Sequence, residues 1–270
     1  MKPQDEKRRV LLTGAAGYIG RLITFHLSEK YDWLLTDLRR PADTRGLRFV
    51  LADITDLNAL RPVCKGAETV VHLAGMPDLK AAWEHLLPPN IIGVYNILQA
   101  ASEAGCRRVI LASSIHVVDG YPAECDVRPD MAVSPLTLYG ASKACGEALA
   151  ACFTQQNNLS VLCLRIGWVS PRNGQHLVPG IPHLEDVITH EDLLRLVLAG
   201  IEAPKELRFG IFHGISDNHP KRLDIRNARE LLHYEPRDDA FALAKLNFPA
   251  MGRHWGKRAV RKIRKVIGRK

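Results

Sequence analysis

Nowhere in the 270 residues does an uninterrupted apolar run approach the ~20 residues that a membrane-crossing helix needs. That excludes helical channels and transporters. The opening stretch, Met1 to Arg9, is charged and leads into no apolar segment ahead of a cleavage site, so an unexported, cytoplasmic protein is expected. Cysteine is sparse: Cys64, Cys106, Cys125, Cys145, Cys152 and Cys163 are scattered without a CxxC pair. This argues against a disulfide frame and a cysteine metal centre, and for reduced thiols; no metal ligand set is read elsewhere. Internal repeats and low-complexity linkers are also lacking, so no clean domain boundary is expected. Bases cluster in one place without acids to balance them. Nine of the 37 Lys and Arg fall between Arg253 and Lys270 with no acid among them, which leaves residues 1–252 with 28 basic and 29 acidic side chains. The net charge of +8 therefore belongs to the tail, and a near-neutral body argues against a nucleic-acid protein.

What is present is an alternation. Short apolar runs at Val10 to Leu12, Trp33 to Thr36, Arg48 to Leu51, Thr69 to Leu73, Arg108 to Ala112 and Val161 to Arg165 read as buried strands. Helical patterns separate several of them, at Tyr18 to Glu29, Asn90 to Ala104 and Leu138 to Gln155. Such an order predicts an α/β fold: a Rossmann-like, doubly wound, mainly parallel sheet covered on both faces. After Gly167 the pattern breaks into a loop rich in Pro and Gly, followed by a helix from about His190 to Ile201, and a small C-terminal substrate lobe is expected mainly over 167–240. Residues 1–252 form one unit in this reading, with 253–270 as a basic tail.

Thr13-Gly14-Ala15-Ala16-Gly17-Tyr18-Ile19-Gly20 follows a predicted strand and opens a predicted helix. In that context glycines let the backbone approach a pyrophosphate, and the helix N-terminus offers N–H donors. Asp37 ends the next strand, 23 residues after Gly14, where a carboxylate accepts from both adenosine ribose hydroxyls and repels a 2′-phosphate. NAD is thus favoured over NADP, although Arg39 and Arg40 stand close enough to serve NADP. Asp53 suits the adenine edge or, equally, a helix N-cap. Ala74-Gly75 at a strand end lets the backbone lie against a cofactor.

Tyr139 and Lys143, four apart on a predicted helix, share one face. A phenol is a poor base at neutral pH, and a nearby ammonium stabilises its anion. Ser113 and Ser114 end a strand at the ligand-facing edge; a hydroxyl there orients the substrate oxygen, and Ser114 is the preferred one. His116, two residues on, suits substrate contact or proton shuttling, and equally a loop histidine bonded to backbone.

Together TGAAGYIG, Asp37, HLAG (His72 to Gly75), Ser113-Ser114, YGASK and LRIG (Leu164 to Gly167) resemble the extended short-chain dehydrogenase/reductase family, also called the NAD-dependent epimerase/dehydratase family. The likeness covers about residues 8–240. It implies a catalytic triad of Ser114, Tyr139 and Lys143, a helix asparagine at Asn90 near the active site, and a homodimer. Cofactor contacts are expected from Gly14, Ala16, Gly17, Tyr18, Ile19, Asp37, Asp53, Ile54, Leu73, Ala74, Gly75, Asn90, Tyr139, Lys143 and Ile166. Substrate contacts are expected from Ser114, Ile115, His116, Tyr139 and Trp168. Within the family the sequence is most similar to uronate dehydrogenases, with departures at Ile115, Pro77 and Leu177, where those enzymes carry asparagine, serine and the arginine that pairs with the substrate carboxylate. Losing that bidentate anchor argues against uronate itself.

The leading expectation is an NAD-dependent oxidoreductase of a hydroxyl on a small sugar, sugar acid or polyol. The alternative is a nucleotide-sugar epimerase or dehydratase that recycles its NAD; Ile115-His116 in place of an Asp-Glu pair and Val118-Asp119-Gly120 in place of a Val-Tyr-Gly turn count against it. A non-catalytic redox sensor would not need the Tyr139 and Lys143 pair. In the tail, Ala259, Val260, Ile263, Val266 and Ile267 form an apolar helical stripe beside basic residues, which suits an anionic membrane surface or glycan as well as a solvated terminus.

Overall fold

A computed structural model describes residues 7–174 and 177–246. The basic tail and His176 lie outside them. Seven strands form one parallel sheet: β1 (Arg9–Thr13), β2 (Asp32–Asp37), β3 (Arg48–Leu51), β4 (Thr69–His72), β5 (Arg108–Ser114), β6 (Ser160–Ile166) and β9 (Phe209–Gly214), in the order β3-β2-β1-β4-β5-β6-β9. The doubly wound Rossmann-like architecture follows from the strands themselves. In β1, Val10 and Leu12 enter one apolar cluster while Leu11 enters another, because successive side chains point to opposite faces. Both faces are covered, so the run must be apolar throughout.

On one face lie α1 (Tyr18–Leu27), α6 (His190–Glu202) and α7 (Arg226–Leu232), which contribute Ile23, Leu196 and Leu232 to the first cluster. On the other lie α2 (Leu57–Cys64), α4 (Gly93–Glu103) and α5 (Leu138–Gln156), which contribute Leu60, Ile97 and Phe153. A short α3 (Trp83–Leu86) runs through a π-helical turn (Leu87–Ile92) into α4; the Gly93 N–H reaches the Pro88 carbonyl, five residues back. Two short strands, β7 (Trp168–Ser170) and β8 (Val187–Thr189), form a separate parallel pair.

Two expectations need correction. Arg48 to Leu51 is not a buried strand: β3 is the outer edge, and Val50 and Leu51 are 43% and 66% exposed because no strand lies beyond it. The Pro- and Gly-rich region after Gly167 returns to the main sheet as β9, so the span 167–240 supplies both sheet and peripheral structure. Among the described residues no helix is long and apolar enough to cross a membrane. All six cysteines are free thiols.

Candidate active site

The carboxyl ends of β1 to β6 surround one cleft of about 910 Å³. At its start, Gly14 takes φ +71°, and a β-carbon there would lie 2.6 Å from the Ala74 nitrogen. Gly20 is just as constrained, since a β-carbon would meet the Gly14 carbonyl oxygen at 2.2 Å. Glycine is therefore required by both the turn and the close approach of β4. The result is a backbone cradle running into α1.

Asp37 ends β2, where its Oδ2 accepts from the Ala16 N–H at 2.9 Å and its Oδ1 from the Arg39 N–H at 3.4 Å. The carboxylate is thereby held beside the cradle. Arg39 lines the cleft with it, whereas the Arg40 guanidinium lies over the Phe49 ring at 5.6 Å. Asp53 also lines the cleft, and its carboxylate closes a turn on the Thr55 N–H at 2.8 Å. The helix cap belongs instead to Asp56, which accepts from the Asn58 and Ala59 N–H groups at the start of α2. Beneath the cradle, Thr13 Oγ1 lies 2.7 Å from His72 Nδ1 and accepts from the Ala74 N–H at 3.3 Å. Burial pushes the His72 imidazole down to about 3, which keeps this ring neutral.

The two serines that end β5 have different fates because of the pleat. Ser113 donates to Glu147 at 2.6 Å, and Glu147 is paired through both oxygens, at 2.8 Å each, with the buried Arg165 of β6. Ser114 faces the cleft together with Tyr139 and accepts from the His116 N–H at 3.3 Å. Thr137 caps α5 by accepting from the Gly140 N–H at 3.0 Å, which sets Tyr139 in the first turn. Gly140 then allows α5 to press on the Ile115–Val117 turn, since a β-carbon would come within 2.3 Å of the His116 carbonyl. This contact brings the His116 and Tyr139 rings edge to face at 5.9 Å. His116 Nδ1 is bonded to Asp119, a side-chain partner rather than the backbone one considered from sequence.

Burial raises the Tyr139 phenol above its ordinary 10, while the Ser114 hydroxyl lowers it. Lys143 Nζ donates to the Ala112 carbonyl at 3.0 Å and lies 5.8 Å from the Tyr139 ring centre; burial pushes its ammonium down to about 8. Such a group can hold a proton near neutrality and place positive charge beside the phenol.

The cleft is lined by Gly14, Ala16, Gly17, Tyr18, Ile19, Asp37, Asp53, Ile54, Leu73, Ala74 and Gly75 at its cofactor-like end, and by Ser114, Ile115, His116, Tyr139, Lys143, Ile166 and Trp168 at the other. Asn90 stands apart. Its Oδ1 accepts from the Met76 N–H at 2.8 Å, and its Nδ2 donates to the Met76 carbonyl and to Ser142 Oγ. It braces the turn after β4 from behind, within the π-helical turn. Sequence reasoning passed over Glu147 and Arg165; the signals were a second step of four along α5, from Tyr139 through Lys143, and a charge inside the apolar run of β6. Glu84 and His85, which also line the cleft, follow no readable pattern.

A family model described as the NAD dependent epimerase/dehydratase family matches residues 10–184. NAD-dependent glucose-6-phosphate dehydrogenase of Haloferax volcanii is 34% identical over 252 residues, covering 86% of this chain and 94% of that protein. Uronate dehydrogenase of Agrobacterium fabrum is 32% identical over 240 residues, covering 88% of each. Among solved structures, a variant of uronate dehydrogenase from Agrobacterium tumefaciens complexed with NAD is similar with a TM-score of 0.79 and 31% identity, over 90% of this chain and 89% of that one.

Proposed function

The chain belongs to the NAD-dependent epimerase/dehydratase family, and from that premise we propose that it is an NAD-dependent dehydrogenase acting on a hydroxyl of a small sugar, sugar acid or polyol. The observation that carries this reading is that Ser114, Tyr139 and Lys143 line the same cleft as the glycine cradle. The cradle fits a dinucleotide: its tight turn is one only glycine allows at Gly14 and Gly20, where a β-carbon would collide with backbone, and the fixed Asp37 carboxylate suits two ribose hydroxyls.

Bound NAD supplies the two-electron acceptor. Ser114 holds the substrate oxygen and Tyr139, as phenolate, takes its proton. Lys143 stabilises that phenolate through its charge. His116, fixed by Asp119, together with Ile115 and Trp168, contacts the rest of the substrate. The relatives named above act on sugar-type compounds, which favours that class over others.

The test is to mix the purified full chain with NAD and a panel of aldoses, aldose phosphates, uronates, polyols and nucleotide sugars. Steady formation of NADH with a free sugar, sugar acid or polyol is expected. Turnover of nucleotide sugars alone, with no net NADH, would overturn the reading in favour of an internally recycled cofactor.

A further inference from the structure

Asp186 takes no part in the cleft, yet it is only 3% exposed, and among the described residues its buried Oδ1 has no hydrogen-bond partner. A carboxylate oxygen left so is costly unless an opposite charge meets it. Arg222 acts on this charge from nearby, but its guanidinium donates to the Tyr121 carbonyl at 3.3 Å. What faces Asp186 is a set of ligand-type groups. His183 Nδ1 lies 3.6 Å from Asp186 Oδ2, and one ligand atom from each of His183, Glu185 and Asp186 falls within 4.8 Å of the others. A separation of 3.6 Å is too long for a hydrogen bond. It is close to the edge of a coordination tetrahedron, since two ligands each ~2.1 Å from one zinc ion stand roughly 3.4 Å apart. The order His183-Leu184-Glu185-Asp186 carries no recognised ligand spacing, and the backbone makes the cluster. His183 adopts φ +70°, a conformation few residues with side chains accept, and leads into the single turn Leu184–Asp186. That turn is fixed from two sides. A β-carbon on Gly167 would meet the Asp186 carbonyl at 2.1 Å, and the buried Asn218 donates to the Glu185 and Val187 carbonyls at 2.9 Å each.

We propose that His183, Glu185 and Asp186 form a binding site for one divalent transition-metal ion, zinc by preference. An imidazole beside two carboxylates favours such an ion over magnesium or calcium, which take oxygen ligands. Three protein ligands leave one of zinc's four positions to water. None of the three residues lines the cleft, so the ion's role is structural: it meets the buried Asp186 charge and pins the turn that leads into β8. The cleft feels it at one remove, because the His183 ring stacks on Trp168, planes 3° apart and centres 5.9 Å apart, and Trp168 lines the cleft. The site stands independently of the reaction proposed above.

The full chain, stripped with a chelator, is titrated with zinc chloride by calorimetry. One equivalent per chain is expected, with a melting temperature several degrees higher at saturation. His183→Gln and Asp186→Asn should each weaken zinc affinity by roughly tenfold or more, since losing even a supporting partner of a metal ligand costs that much. Cys145→Ser and Cys152→Ser, which remove the two exposed thiols, should leave it unchanged. Cobalt(II), which accepts the same ligands, should quench indole emission with the same stoichiometry, and Trp168→Phe should remove most of that quenching, with Trp33, Trp83 and Trp255 left to report any remainder. Zinc held with unchanged affinity by both ligand variants would place the ion elsewhere and overturn the site. So would the absence of saturable binding, or cobalt that leaves the Trp168 emission untouched. The cobalt arm needs only wild type and Trp168→Phe, so it decides even where a ligand variant fails to fold.

Discussion

Two influences act on the Tyr139 phenol: burial raises its pKa, and the Ser114 hydroxyl lowers it. Tyr139→Phe removes the proposed proton acceptor and is expected to lower kcat/KM by about 10²- to 10⁴-fold with NAD affinity retained. Ser114→Ala removes only the lowering influence. The phenolate then forms at higher pH, so the rising limb of the kcat/KM profile should move upward in pH as well as losing height; an unmoved limb would count against Tyr139 as the base. Lys143 gives a stability test of opposite character. Burial sets its folded pKa at about 8 against an ordinary 10.5, so between those values the unfolded chain holds a proton that the folded chain has released. This residue's contribution to stability therefore rises with pH across that window, and below it the folded protein carries a buried charge. Lys143→Met should melt a few degrees above wild type near pH 7 without cofactor, with the gap closing toward pH 10.5. A gap that widens with pH would refute the assignment. Tyr139 and Lys143 were legible in the sequence because four-residue spacing on a helix fixes a shared face. Which of Asp53 and Asp56 caps α2 was not, since both precede the helix and only the observed backbone places the N-cap.

At the scale of elements, Arg108 joins strand to helix through hydroxyl and carbonyl oxygens. Its guanidinium donates to Ser160 Oγ and to the carbonyls of Gly200, Ala203, Pro204 and Leu207, closing the C-terminal end of α6 and the segment after it. A cation suits that end of a helix dipole, and a planar fork serves several acceptors where an ammonium cannot. Arg108→Leu leaves buried carbonyls without donors and should cost about 3 kcal/mol or more, or roughly 10 °C in Tm. Activity per folded molecule should survive, because neither Arg108 nor its hydrogen-bond partners line the cleft; a Tm change under about 2 °C would show that water replaces the guanidinium. Nothing in the apolar run Arg108 to Ala112 announces this role, and Arg48, which also opens a strand, is exposed at the sheet edge. The doubly covered strands were readable because both faces demand apolar residues. β9, β7, β8 and α2 were not: β9 alternates with Gly210 and Gly214, β7 and β8 are three residues each, and Pro62 interrupts the helical pattern of α2.

For the whole molecule, the cleft is the meeting point of the sheet. Residues following β1 to β6 all line it, so a ligand there touches groups that only the complete fold brings together. Binding to the folded state alone at a hundred times Kd adds about 2.7 kcal/mol, which for a domain of this size corresponds to roughly 5–10 °C in Tm. NAD is expected to give a shift of that order and NADP a smaller one, because the Asp37 carboxylate meets the 2′-phosphate with like charge. Asp37 also accepts from the Ala16 N–H within the cradle, so its loss is expected to weaken the turn together with the proposed ribose contact. Asp37→Ala should therefore lose most of the NAD shift while gaining relative response to NADP, with Arg39 already on the cleft wall to meet the phosphate. Thermal shift with both dinucleotides, on wild type and variant, decides it. A full NAD shift in Asp37→Ala would mean that the glycine cradle alone carries recognition, and a larger NADP than NAD shift in wild type would reverse the assigned preference.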